Sequence, residues 1–355
     1  MPFNIFGVLI LSLTLISCNG YSAKDLTGNT VPLRSRSPDE QRLKAMKTAM
    51  VALAQKFPTD EEMSMAATQE GYEQVIRSIL DSDNFKTAVQ LTSMNDFEMG
   101  GTSGGINYSE PANLAAYLIT NNEDYRQILT ADYCVDDQLK KINCSSFSTP
   151  ALAQANAAGA ITTRGFLEKW QAAFNFRRVS KVFEVFACSE YPDKSDEGLL
   201  PEQLPGTLKT FACQDCVPKC YDCHKTMNSR ATLFYTFDRK GFYNPNPNPN
   251  PNAGEITVTD TNKASTTKDI VADGVSATYK GTNVASLREY AGLFSQTQQF
   301  RNCVTQRVVG RLFGLDHDKP LPESMTHFYM DLEADQFKLK DFIFRVVTSK
   351  EFLNR

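Results

Sequence analysis

Four cysteines and a histidine fall within one short run, Cys213-Gln214-Asp215-Cys216-Val217-Pro218-Lys219-Cys220-Tyr221-Asp222-Cys223-His224. Thiols at this density have few chemical fates: a covalently attached group, a metal knot or disulfides. The last five residues spell C-x-x-C-H, the pattern by which c-type haem is attached. The thiols of Cys220 and Cys223 add to the haem vinyl groups, and their spacing presents both sulfurs on one turn of backbone. His224 follows directly, so its imidazole can reach the iron as proximal ligand. The upstream pair, Cys213 and Cys216, keeps two other readings open. One is a zinc knot of all four thiolates, whose C-x-x-C spacing is good but whose short linker is unlike the longer loop of zinc ribbons. The other is disulfides alone.

The start of the chain bears on that choice. Phe3 to Ser17 is an apolar run of about fifteen residues, too short to span a bilayer and suited to the h-region of a signal peptide. It ends Leu15-Ile16-Ser17-Cys18, which resembles a bacterial lipobox whose Cys18 becomes the lipidated N-terminus. The leading Met1-Pro2-Phe3-Asn4 carries no Lys or Arg, so an ordinary secretory signal cut nearby is the alternative. Both readings export the chain. Asn19, which is not acidic, places the lipid-anchored form in the outer membrane by analogy. Export favours oxidised sulfur over thiolate, and so favours haem or disulfides over zinc.

Of nine cysteines, Cys18 is set aside for lipid and Cys220 and Cys223 for haem. The even remainder is Cys134, Cys144, Cys188, Cys213, Cys216 and Cys303, which fits three disulfides. Cys134 and Cys144 are near enough in sequence to close a short loop; the pairing of the other four is open. The net charge is −4 with 3 His. No basic stripe is visible, so nucleic acid is not an expected partner. The few histidines confine the iron-ligand candidates to His224, His317 and His327 and leave hydrolase triads thin.

The expected fold is mainly α: a helical N-terminal domain over 37–188, and a helical cytochrome-c-like domain over 189–355 with a small β hairpin insertion. The signal occupies 1–18 and a polar tether 19–36. Ser37-Pro38-Asp39-Glu40 opens a helix with a capping box and Pro at its first position. Leu43, Met46, Met50, Leu53 and Phe57 follow as a buried stripe. Thr59-x-x-Glu62 is a second capping box, starting a pattern through Tyr72, Val75, Ile76, Ile79 and Leu80 toward Phe85, Val89 and Leu91. Gly100 to Gly105 is a glycine-rich loop, and Pro111 to Leu118 and Tyr125 to Leu129 are helical segments. Gly165 to Phe186 is expected as one long helix. Its Arg177-Arg178 pair forms a solvated face or meets haem propionates. Residues 244–252 alternate Asn and Pro and make an extended, low-complexity loop. Glu255 to Thr259 alternates like a strand, with Ala277 to Tyr279 as its expected partner. From Ser286 the chain is helical again.

These residues resemble a specific family. Cys220, Cys223, His224, then Met227-Asn228, Phe234, Phe237-Asp238 and Gly241-Phe242, are similar to the cytochrome-linked domains of unknown function found in planctomycetes and myxobacteria. Phe300-Arg301-Asn302-Cys303, Gly310-Arg311 and the closing Val347 to Phe352 continue the likeness. Gly159 to Cys188, with Thr162-Thr163, Phe166-Leu167, Arg177-Arg178 and Phe186-x-Cys188, looks like the domain that precedes it. The likeness covers roughly 120–355. The chain departs from it at Ser229-Arg230-Ala231, where Pro-Leu-Gly is usual, and in the Asn-Pro run. The resemblance implies covalent haem and leaves activity open.

A distal Met or His makes a haem iron an electron carrier, and an open position allows small-molecule chemistry. Met325, His327 and Met330 lie in one downstream segment, with Met325 the leading candidate for a distal ligand. Met227, three residues past His224, is expected to pack beneath the haem. The expected function is an exported, lipid-anchored c-type haem protein transferring electrons in the bacterial cell envelope to or from a redox partner protein. The alternatives are a haem enzyme with an open iron site and a disulfide-stapled surface lipoprotein without haem.

Overall fold

The computed structural model describes residues 37–171, 175–189, 227, 230–231, 233–244, 277–280, 282–316 and 319–355. The signal segment, the tether, the C-x-x-C-H run, His317, the Asn-Pro run beyond Asn244 and the Glu255 to Thr259 strand lie outside the described residues.

The architecture is mainly α. Helix α1 (Pro38–Ala54) starts where its capping box places it: Ser37 Oγ accepts from the Glu40 N–H and Glu40 Oε2 accepts from the Ser37 N–H. Its Met46, Met50 and Leu53 are buried. Phe57 is not part of that stripe. The helix ends at Gln55 in the left-handed conformation (φ 52°), and Phe57, beyond the cap, is 80% exposed. The second box, at Thr59, starts α2 (Asp60–Met65). The apolar pattern that follows is broken twice more, because Thr68 and Ser82 each cap a new helix. These are α3 (Gln69–Leu80) and α4 (Asp83–Phe97).

The glycine-rich stretch holds a tight antiparallel hairpin, β1 (Thr102–Ser103) with β2 (Ile106–Asn107). Helix α5 (Glu110–Thr120) is buried on nearly every side, including Asn113 and Leu114; a helix so enclosed is a central pillar. A 3-10 turn at Tyr125–Ile128 leads to β3 (Cys134–Val135), paired antiparallel with β4 (Lys141–Ile142). A disulfide joins Cys134 to Cys144 across that hairpin.

After α6 (Pro150–Asn156) the expected long helix is two. They are α7 (Arg164–Lys169) and α8 (Phe176–Ala187). Asn175 interrupts them with a left-handed backbone (φ 58°), a conformation Asn tolerates better than most residues. Strand β5 (Ala277–Tyr279) pairs with β6 (Thr282–Val284) across the Lys280-Gly281 turn. The expected pairing of this strand with 255–259 falls on residues outside those described. Then come α9 (Leu287–Ser295), α10 (Gln298–Phe313), α11 (Phe328–Ala334), α12 (Leu339–Thr348) and α13 (Lys350–Leu353). Ser349 divides the last two by capping α13.

Helices from both ends of the chain bury one core running from Ala45 to Phe352. Helix α12 packs on α3 and α5, α13 on α1, and α10 on α8, α11 and α1. The buried Tyr72 hydroxyl donates to the Val347 carbonyl at 2.8 Å. Among the described residues no helix is long and apolar enough to cross a membrane.

Glu110, in the first turn of α5, is only 5% exposed. It accepts from the Gly165 and Arg164 backbone N–H groups, but its Oε2 has no hydrogen-bond partner among the described residues. Burial dominates and pushes its pKa up to about 7 from a usual 4.5. Between those values the folded chain holds a proton that the unfolded chain has lost. Stability is therefore full below pH 4.5 and falls as pH rises toward 7, by about 3 kcal/mol if the shift is fully expressed. Glu110→Gln is expected to flatten that part of the profile. Thermal denaturation of both proteins from pH 4 to 8 checks it; parallel curves would contradict it.

Candidate functional site

Cys213, Cys216, Cys220, Cys223 and His224 lie outside the described residues, so the site is approached from the elements on either side of it. Upstream, α8 carries an apolar stripe of Val179, Val182, Phe183 and Phe186 into the core. It ends at Cys188, whose left-handed backbone (φ 50°) closes the helix. Cys188 is disulfide-bonded to Cys303 on α10, across a sequence separation of 115, with Cα atoms 5.2 Å apart. That bond fastens α8 to α10 on the two sides of the C-x-x-C-H run. The pairing joins two of the candidates left open by spacing alone.

Downstream, the chain returns to the described core at Met227, which is buried. Arg230, only 2% exposed, lies over three aromatic rings: Phe183 at 4.8 Å, Tyr279 at 5.1 Å and Tyr290 at 5.7 Å. A guanidinium over several ring faces gains attraction from each quadrupole. Tyr279 and Tyr290 meet edge to face at 5.2 Å. Arg230, at the position where the resembled family has Leu, is therefore the core of an aromatic cage joining α8, β5 and α9.

Arg178 holds the next part of the segment. It is fully buried, which overturns its reading as a solvated face. Nε and Nη2 donate to the Leu167 carbonyl at 2.9 and 2.7 Å. Nη1 donates to Asn175 Oδ1 at 3.0 Å and to the Phe237 carbonyl at 3.3 Å. Nη2 also donates to the Asp238 carbonyl at 2.8 Å. A guanidinium has five N–H donors, and these bonds use them all, so Arg178 has none left for a haem propionate. The Leu167 carbonyl is one of those the last turn of α7 leaves unpaired. Burial lowers the Arg178 pKa to about 10, opposed by the nearby Asp238 charge. Arg177 instead lies 4.9 Å from the Trp170 ring.

The Phe237-Asp238 and Gly241-Phe242 pairs form one tight turn. Asp238 N–H donates to the Phe242 carbonyl at 2.9 Å, and Asp238 Oδ1 accepts from the Phe242 N–H at 2.8 Å. Gly241 has φ 78°, and a Cβ there would stand 3.0 Å from the Arg164 carbonyl oxygen; both facts call for glycine. Arg164 covers the Phe242 ring at 4.3 Å. Phe237 packs edge to face on Phe147 and Tyr243. The residues that carry the resemblance after His224 thus have a mechanical role, docking the segment on α7.

Met325 ends a short 3-10 turn at Glu323–Met325 and is half-buried against the core. His327 is exposed, its ring 4.2 Å from that of Phe328, and Met330 is 59% exposed. His224, which a distal ligand would have to face across the iron, lies outside the described residues. Among the described residues, no group of three or more His, Cys, Asp or Glu could hold a metal. The roles of Arg178 and Arg230 had no sequence signal: the Phe237 and Asp238 carbonyls that Arg178 reaches, and the Phe183, Tyr279 and Tyr290 rings around Arg230, lie tens of residues away.

No protein-family model matches the chain, and no curated protein or solved structure is significantly similar to it.

Replacing Arg178 with Met is expected to leave the Leu167, Phe237 and Asp238 carbonyls buried and unpaired. The expected loss is about 3–5 kcal/mol, with partial recovery in Arg178→Lys. Urea denaturation midpoints measure it; a Met variant within 1 kcal/mol of the parent, a threshold set by the usual net value of one hydrogen bond of about 1 kcal/mol, would contradict the clamp.

Proposed function

We propose that this chain is an exported, lipid-anchored c-type haem protein that transfers electrons in the bacterial cell envelope, at the outer membrane. The observation that carries the reading is the Cys220-Tyr221-Asp222-Cys223-His224 run. Its donor set fits the group: two thiols for the porphyrin vinyls and one imidazole for the iron. Haem supplies one-electron chemistry. The chain's own part is to hold the attachment segment, and three fastenings serve that end. These are the Cys188–Cys303 bond before it, the Arg230 cage after it and the Arg178 clamp beyond that.

The cysteine balance supports the same reading. Of nine cysteines, four are joined in the two described disulfides. Setting aside Cys18 for lipid leaves Cys213, Cys216, Cys220 and Cys223. Haem takes the last two, and Cys213 and Cys216 remain as a pair for a third disulfide. Met325 is the proposed distal ligand, and an envelope redox protein is the proposed partner. The resemblance to the planctomycete and myxobacterial cytochrome-linked domains points the same way. The competing reading, a haem-free lipoprotein with a binding or structural role, assigns the same four cysteines to two more disulfides.

Expression with a cytochrome c maturation system separates the two. A covalent pyridine haemochrome signal is expected, lost in the Cys220→Ala, Cys223→Ala double variant. A colourless protein with a cooperative melt would overturn the haem reading.

A further inference from the structure

The helical core encloses a cavity of ≈ 170 Å³ between α1, α4, α5, α8, α10 and α12. Most of its wall is apolar, with Leu53, Phe85, Phe97, Val304 and Ile343 among its lining. A dry cavity of about 150 Å³ is large enough to accept a benzene-sized guest, so this one has room for a ring or a short alkyl chain.

One end has a different chemistry. Asp96 on α4 meets Arg311 on α10, with Arg307 Nη1 at 3.4 Å from the same carboxylate oxygen. The Arg311 side chain is 33% exposed, so this end reaches solvent. Arg311 engages described residues only through Nη2, to Asp96, leaving most of its N–H donors unspent. The Tyr125 phenol and the Ser93 hydroxyl also line the cavity, and neither is hydrogen-bonded to a described residue. Ser93 is only 5% exposed. Burial holds the Tyr125 phenol protonated, and its charged surroundings include the Arg307 and Arg311 guanidiniums beside Asp96. Unspent donors on the wall of an apolar chamber call for an acceptor, and the Arg311 guanidinium at its wet end favours an anionic one. An apolar wall bearing a few polar groups is what small-molecule sites present.

We propose that this cavity is a binding site for a small anionic amphiphile. Its class is a monocarboxylate with a short alkyl or aryl body in the apolar chamber and its carboxylate hydrogen-bonded by Arg311, Tyr125 and Ser93. The site is built from helices on both sides of the haem-attachment segment, and it stands whether or not haem is present.

Titration calorimetry on the full chain with its disulfides intact tests this, using octanoate as probe and 1-octanol as its uncharged counterpart. Octanoate is expected to bind saturably at one site, and octanol about tenfold more weakly or worse, the scale of a lost charge-assisted hydrogen bond. Tyr125→Phe removes one oxygen and is expected to weaken octanoate several-fold without moving the melting temperature. Ala88→Phe, which fills the chamber from α4, is expected to abolish binding; circular dichroism checks that it folds. No octanoate binding to the parent chain would overturn the site. Equal affinity for octanol, or undiminished binding in Tyr125→Phe, would overturn the anionic recognition.

Discussion

The bond between Cys188 and Cys303 fixes the frame on which the rest depends. It closes a loop with a sequence separation of 115, for which loop-closure entropy alone gives about 5 kcal/mol of stabilisation. Hydrophobic burial in one core from Ala45 to Phe352 is a larger sum. The disulfide adds a covalent fixed point to that core, holding the end of α8 against α10. An oxidising compartment is the setting in which such a bond persists, which agrees with the export proposed for this chain.

Buried cations hold the segment after His224. Arg178 and Arg230 are both about as buried as any core Leu: Arg178 gives its donors mainly to backbone carbonyls, and Arg230 lies among ring faces. Lys181, 2% exposed, is paired with Glu98 and Glu184 and lies 4.6 Å from the Trp170 ring. Along α8, then, successive basic residues reach in different directions, to α7, to α4 and to the segment after His224. Removing Arg178 leaves buried carbonyls without water, whereas Glu98 and Glu184, the exposed partners of Lys181, stay solvated.

Local rules were legible in the sequence. The capping boxes at Ser37 and Thr59 and the Cys134–Cys144 loop are properties of neighbouring residues, and each is where spacing placed it. What depended on backbone conformation at one residue was not legible. Asn175 in the left-handed region splits an apolar pattern whose period continues on both sides of it, and Thr68 and Ser82 do the same by capping. What depended on distant partners was hidden altogether. Arg178 looks like a surface residue because two adjacent arginines on a helix usually are solvated. Its burial depends on the carbonyls of Phe237 and Asp238, far along the chain, together with Leu167 and Asn175 nearby. The cavity end is hidden for the same reason, since Asp96 and Arg311 are over two hundred residues apart. The C-x-x-C-H run is the reverse case: its spacing is local and visible in the sequence, while the run itself lies outside the described residues.

The most direct test is peptide mapping of the purified chain by mass spectrometry under non-reducing conditions. The account predicts one haem mass on the peptide holding Cys220 and Cys223, a Cys188–Cys303 cross-linked peptide, and Cys213 joined to Cys216. Cys220 or Cys223 found in a disulfide, with no haem mass on any peptide, would contradict it.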